Sequence, residues 1–208
     1  VSNRLSKGIE FLMKKNRISH ISGTGKLTSN TTLEVKNGKM TEIIEAHKII
    51  IATGARPRSF PGMEIDGKRV ISSKEAMVLD APPKKMIIIG SGAIGSEFAY
   101  YYNEFGTEVH LVEMMDRVLP VEDLDVSREV EKSFKKSGIK ISIGTKVSQI
   151  DSLNTKVKVH TEKDDKKEIL EGDVALLSVG VTGNIENIGL ENIGITTDHG
   201  AIRINEFN

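Results

Sequence analysis

At 208 residues the chain has room for one or two domains and a core of useful size. Lys+Arg and Asp+Glu both number 29, so the formal net charge is zero, and the absence of any long basic or acidic block argues against a nucleic acid or an anionic membrane surface as partner. With no cysteine there is no disulfide, thiolate metal site or thiol catalyst in this sequence, and no apolar run approaches the roughly 18 residues of a membrane span.

Val1 already lies inside an amphipathic pattern with no signal or transit segment ahead of it, and residues 202–208 stop without a tail or cap. Both ends read as cut, so an internal piece of a longer polypeptide is expected. Leu5, Ile9, Leu12 and Met13 fall on one helical face that ends at Lys14 and Lys15, where cations suit the helix dipole. Residues 18–21 read as a short strand and residues 23–25 as a turn. Residues 33–35 and 40–44 form a hairpin about Asn37-Gly38, a pair that supplies positive φ angles. Residues 48–52 predict a buried strand running into Thr53, Gly54 and Ala55. Pro57 and Pro61 rule out regular structure just afterwards, and residues 72–79 hold a short helix.

Residues 80–84 contain two adjacent prolines and read as a linker, which places a domain boundary there. A short apolar run at 86–89 follows, of the kind that forms a strand buried on both faces. Gly90, Gly92 and Gly95 then stand in G-x-G-x-x-G spacing, interleaved with Ser91, Ala93, Ile94 and followed by Ser96 and Glu97. A helical pattern continues to a stop at Gly106, and a second apolar strand at 109–112 ends on Glu113. Each part has a physical role. Gly90 permits the tight turn, Gly92 lets backbone approach a pyrophosphate, and Gly95 removes a side chain where helix packs on strand. The helix N-terminus offers N–H groups and a positive dipole end to phosphates. Glu113, about 20 residues on, is where a carboxylate accepts hydrogen bonds from an adenosine ribose and repels a 2′-phosphate, so the stretch reads as NAD-selective.

Beyond Glu113 a loop leads to a helix at about 125–137, with Val126, Val130 and Phe134 on one face and Asp125 available as N-cap. Gly138 ends it and residues 139–143 give the next strand. Residues 146–150, 156–161 and 167–170 alternate or are β-rich, which predicts an antiparallel three-stranded flap added to a parallel sheet. Residues 174–179 are again apolar and end at Gly180, which points at the crevice beyond the strand ends, as Gly90 does. The remainder to 195 reads as loop with short turns. The fold class is α/β, a Rossmann-like dinucleotide domain with that flap.

Other chemistry is sparse. The five histidines are scattered without metal-ligand spacing, and Glu122, Asp123 and Asp125 read as helix capping in preference to a metal site. There is no G-x-S-x-G elbow. Tyr100, Tyr101 and Tyr102 read as helix packing with at most one at the surface. Glu97, one turn into the helix, is either a dipole-favouring acid or a contact on the nicotinamide side.

Taken together, residues 90–97, the 111–113 strand end running into residues 116–120, and residues 50–57 resemble the flavin-dependent pyridine nucleotide–disulfide oxidoreductases. Residues 123–127, 134–136, 177–180 and 188–191 bring the resemblance closest to the dihydrolipoamide dehydrogenases, and it covers essentially the whole chain. The resemblance implies an FAD domain interrupted by an NAD domain: residues 1–80 a partial FAD segment, 81–198 the NAD domain, and 199–208 the return into the FAD domain. It implies NAD contacts at residues 90–97, Glu113, Val147 and Gly180, with Glu97 on the nicotinamide side, and FAD contacts at Gly25, Thr53, Gly54 and Ala55. It implies a homodimeric parent that associates with a 2-oxo acid dehydrogenase or glycine cleavage complex, in the cytoplasm or, for a eukaryotic parent, the mitochondrial matrix.

Some of the family's pattern is absent from these 208 residues: the first FAD glycine motif, the redox cysteine pair, the second FAD motif and the His–Glu dyad. Where many members have Gly-Arg-x-Pro after the late strand, this chain has Gly180-Val181-Thr182-Gly183. The parent is therefore expected to oxidise a dihydrolipoyl group with NAD⁺ through FAD, while this chain alone is expected to bind NAD(H) weakly, hold FAD poorly and turn nothing over. Another disulfide reductase of the superfamily, or a non-catalytic NAD-binding module, are the alternative readings.

Overall fold

The computed structural model describes residues 2–207. They form two compact units, one running up to Gly54 and resumed from Gly183 onward, the other spanning Ala55–Thr182.

In the first unit, α1 (Ser2–Lys15) is the expected helix with Lys14 and Lys15 in its last turn, yet none of its residues is buried. The strand expected at 18–21 does not form. Arg17 takes φ 58°, which turns the chain, and Ile18 and Ile21 are exposed. The turn expected at 23–25 is instead the start of β1 (Thr24–Ser29). It pairs antiparallel with β2 (Thr32–Asn37), which pairs with β3 (Met40–Glu45), as the hairpin predicted. In its turn the positive φ falls on Gly38, at 59°, whereas Asn37 stays in the ladder opposite Met40. The buried strand expected at 48–52 is also corrected: the segment is irregular and Ile50 is 90% exposed. An apolar run becomes a strand only where an adjacent ladder accepts its backbone groups, and no described strand pairs with this one.

The second unit opens with β4 (Ala55–Pro57), β5 (Val70–Ile71) and α2 (Ser73–Ala76). The expected helix is held by a capping box, in which Ser72 Oγ accepts Lys74 N–H and Glu75 returns to the Ser72 backbone N–H. Then come β6 (Lys85–Ile89), α3 (Ala93–Glu104), β7 (Glu108–Val112), α4 (Leu124–Lys136) and β8 (Lys140–Ser142). The N-cap of α4 is Asp123 and not Asp125, since Asp123 Oδ1 accepts the Asp125 N–H at 2.8 Å. The flap is β9 (Lys146–Ser152), β10 (Val157–Lys163) and β11 (Lys166–Gly172), antiparallel throughout, with Asp164 and Asp165 both at positive φ in its second turn. β12 (Val174–Leu177) and β13 (Val181–Gly183) complete the unit's strands.

The main sheet has the order β5-β12-β6-β7-β8 and is parallel at every pairing. Both faces are covered, which is why its strands read as continuous apolar runs. Met86, Ile88, Val109 and Leu111 pack toward Ala99 and Tyr102 of α3 and Phe134 of α4. Ile87, Ile89 and Val112 pack toward Val147, Val157 and Val159 of the flap. Of the three tyrosines only Tyr102 is inside, where its hydroxyl donates to Ala76 O at 2.5 Å; Tyr100 and Tyr101 are both exposed, one more than expected. The chain then re-enters the first unit through a 3-10 turn at Leu190–Ile193, β14 (Thr197–Asp198) and β15 (Ala201–Ile202). Leu27 anchors that return, its N–H donating to Ile188 O and its carbonyl accepting Asn192 Nδ2.

Candidate functional site

A crevice of about 670 Å³ opens beyond the carboxyl ends of β6, β7 and β12. In a parallel sheet this is where backbone N–H groups and loop residues converge. Ile89, Val112, Val147 and Val179 give it apolar walls, and Gly90, Gly92, Glu113 and Gly180 stand along it.

The glycines divide their roles by geometry. Gly90 has φ 95°, and a Cβ there would lie 2.5 Å from Ser178 O. A Cβ on Gly95 would collide with Gly90 O, so α3 can begin this close to β6 only without a side chain at that position. Gly92 differs. It is the N-cap of α3 in extended conformation, and a Cβ on it would have no neighbour within 4 Å. Space is thus left open beside the N–H groups of Ala93, Ile94 and Gly95, the first-turn donors that a helix cannot use internally. Ser96 N–H, by contrast, already bonds Gly92 O. No side chain caps this helix end. A diphosphate is the chemistry that such a cradle accepts.

Glu113 is only 7% exposed. Its backbone is fixed from two sides, donating to Ser142 O and accepting Thr145 N–H. Its Oε2 accepts both the Ser91 N–H at 2.7 Å and the Ser91 hydroxyl at 2.8 Å, and its Oε1 accepts the Met115 N–H at 2.8 Å. The acid therefore lines the crevice while bonded to the glycine turn, a partnership that the sequence reading does not contain. Ser91, fully buried, is a link between the turn and the next loop and not part of the crevice lining.

The other expected positions divide. Val147 and Gly180 line the crevice with Gly90 and Gly92. Glu97 does not; it is exposed beside Met77, Phe98 and Tyr101 in a separate hollow of about 370 Å³. In the first unit Thr53 and Gly54 are gathered by Asn184, whose Nδ2 bonds Thr53 O and whose N–H bonds Gly54 O, while Gly25 lies in β1 opposite Val35. Ala55 opens β4.

Sequence reasoning missed Arg58, Phe60 and Met63, which line the crevice from the segment before β5. That segment is held by Ile150 N–H donating to Gly62 O at 2.8 Å, and Arg58 by its N–H to Gly180 O and its Nη2 to Val181 O. No local period marks these residues. Two prolines around an aromatic residue are the only signal that the stretch has a fixed path.

A family profile described as pyridine nucleotide-disulphide oxidoreductase matches residues 1–208. The chain belongs to that family. A dihydrolipoyl dehydrogenase of Rhizobium etli is 42% identical over 218 residues, covering 97% of this chain and 45% of the relative. One from Bacillus subtilis is 38% identical over 217 residues, covering 99% and 46%. Among solved structures, LpdA from Mycobacterium tuberculosis superposes with TM-score 0.86 at 30% identity, covering 95% of this chain and 44% of that one. The HOCl-induced flavoprotein disulfide reductase RclA from Escherichia coli gives 0.76 at 26% identity, covering 98% and 47%. The chain thus spans less than half the length of these relatives. Among the described residues no helix is long and apolar enough to cross a membrane, and no cluster of three or more His, Cys, Asp or Glu side chains forms a metal centre.

Proposed function

We propose that this chain is the NAD-binding portion of a dihydrolipoyl dehydrogenase-type flavoenzyme, which oxidises a dihydrolipoyl group and reduces NAD⁺. The observation that carries the reading is the open cradle at Gly92, beside the first turn of α3, in a crevice also lined by Glu113. In this reading residues 81–198 are the NAD module, residues 1–80 and 199–208 belong to an FAD-binding module, and Gly25, Thr53, Gly54 and Ala55 serve the flavin. The dithiol must come from outside these residues, because the sequence has no cysteine.

The nicotinamide supplies the hydride-accepting carbon when the dinucleotide is bound. The protein's part is to bind and orient. The free N–H groups of α3 hold the diphosphate, Glu113 selects the adenosine ribose, and Val112 and Val147 provide an apolar seat for the adenine ring. Glu97, which lies outside the crevice, is assigned to the nicotinamide side by the family resemblance alone. A homodimeric parent, associated with a 2-oxo acid dehydrogenase or glycine cleavage complex in the cytoplasm or mitochondrial matrix, belongs to the same proposal. The higher identity to dihydrolipoyl dehydrogenases than to RclA favours it over another disulfide reductase.

Calorimetric titration of the purified chain with NADH, NADPH, AMP and S-adenosylmethionine tests the binding role. NADH is expected to bind best, and equal affinity for AMP would remove the diphosphate cradle from the account. No diaphorase activity is expected from the chain alone; turnover without added protein would contradict the assignment of a binding portion.

A further inference from the structure

Ser91 has no exposed surface, and each of its polar groups is engaged. Its N–H and hydroxyl both go to Glu113 Oε2, and its carbonyl accepts the Ser96 hydroxyl at 3.0 Å and the Leu119 N–H at 3.0 Å. Glu113 and Leu119 are the two ends of a loop that contributes Met114 to one crevice wall, with Pro120 and Val121 just beyond. Leu119 is held at φ 47°, an uncommon conformation for a residue with a branched side chain, and Ser127 Oγ donates to its carbonyl at 3.1 Å. One buried residue therefore joins the glycine turn to both ends of this loop, to Glu113 through its side chain and N–H and to Leu119 through its carbonyl.

The consequence for Glu113 is a matter of lone pairs. An ionised carboxylate has about four acceptor sites, two on each oxygen. Ser91 fills both on Oε2, and the Met115 N–H takes one on Oε1. Ser91 thus fixes the orientation of the carboxylate and leaves acceptor capacity on Oε1.

We infer that Ser91 is a positioning residue of the dinucleotide site, its hydroxyl fixing the orientation in which Glu113 meets the ribose. The inference rests on the assignment of the crevice to NAD and adds how the acid is set. Ser91 acts through Glu113 without touching the ligand. Removing its hydroxyl takes away one of the two bonds that hold Oε2 and loosens the carboxylate, so NADH binds more weakly and the 2′-phosphate of NADPH is excluded less strictly.

The test is a double-mutant cycle read by calorimetry on the full chain: wild type, Ser91→Ala, Glu113→Ala and the double variant, each titrated with NADH and NADPH. Ser91→Ala is expected to weaken NADH about ten-fold, the scale of one hydrogen bond to a charged group, and to narrow the preference over NADPH. In the Glu113→Ala background the same change is expected to leave NADH affinity unaltered. An equal loss in both backgrounds, which a merely structural serine would give, overturns the inference. So does a Ser91→Ala chain that binds as wild type does. Ser91→Ala deletes one oxygen and keeps the N–H bond to Glu113; should it fail to fold, Ser91→Cys, of similar size and a weaker donor, carries the same comparison. Failure of wild type to bind NADH at all would remove the NAD assignment itself, and the inference with it.

Discussion

Two alanine substitutions three residues apart, Gly92→Ala and Gly95→Ala, are expected to separate ligand binding from folding. At Gly95 the added methyl runs into Gly90 O and lies 2.6 Å from Ser178 Oγ and 3.1 Å from Gly90 C. The backbone cannot step aside cheaply. Gly90 O already accepts Ser178 Oγ at 2.8 Å, and Gly90 N–H donates to Val112 O at 2.8 Å. Overpacking of this kind costs about 1–3 kcal/mol or more, against which the better helix propensity of alanine returns about 1 kcal/mol. A net loss of about 2 kcal/mol is expected for Gly95→Ala, read as a lower urea midpoint with unchanged slope. At Gly92 the backbone is at φ −64°, which alanine adopts freely, and its methyl would meet nothing within 4 Å. The poorer N-cap and the stiffer unfolded chain oppose each other at a few tenths of a kcal/mol each, so Gly92→Ala is expected to match wild-type stability. Its methyl nevertheless fills the space assigned to the diphosphate, so NADH affinity should fall more than ten-fold. A Gly92→Ala chain that binds NADH normally would refute the cradle, and a Gly95→Ala chain of wild-type stability would refute the close approach of α3 to β6.

Ser72→Ala removes the cap of α2, including the hydroxyl that donates to Glu75 Oε2 at 2.6 Å, and is expected to cost about 1 kcal/mol in urea denaturation. His110 is held below the ordinary imidazole value of 6.5 by burial and then by Lys140 and Lys85, with its Nε2 2.8 Å from Ser142 Oγ. Because the unfolded chain takes up the proton that folded His110 resists, stability should fall as pH drops through 6.5 toward the lowered folded value; His110→Gln should flatten that part of a stability–pH curve. Glu113→Gln should weaken NADH while narrowing its preference over NADPH, measured by paired titrations.

What could be read from sequence is what depends on neighbours in the chain. The strand at 85–89, the glycine turn, α3 and β7 follow one another directly, so apolar runs, glycine spacing and a terminal acid were enough to place them. The flap was legible for the same reason, its strands being joined by short turns. Residues 18–21 and 48–52 carry the composition of strands, but pairing is a property of two segments and one segment cannot report it. The converse error occurred at residues 23–25, where polar Thr24 and Gly25 pair with Lys36 and Val35. In the crevice, the bond from Ser91 to Glu113 spans 22 positions. Arg58, Phe60 and Met63 arrive there because Gly62 O is bonded to the flap at Ile150. Both are tertiary facts with no periodic trace.

The helix α1 presents the sharpest contrast between pattern and packing, and it yields the last prediction. Its apolar positions share one face as a buried helix requires, yet Leu5 is 64% exposed, Ile9 55% and Leu12 54%. A helix of 14 residues is marginal in water on its own propensity, and most helices are held by the burial of such a face. β6 has the opposite standing, with Met86, Ile87 and Ile88 fully enclosed by packing on both sides of the sheet. Amide hydrogen exchange should therefore separate the two elements by the difference between local and global opening. α1 amides are expected to exchange close to the unprotected rate, while those of β6 exchange only as the second unit unfolds. Slow exchange in α1, at a rate that falls with protein concentration, would mean that a second copy covers its apolar face. Slow exchange independent of concentration would mean that the first unit buries that face itself, and the exposure of Leu5, Ile9 and Leu12 would then be wrong.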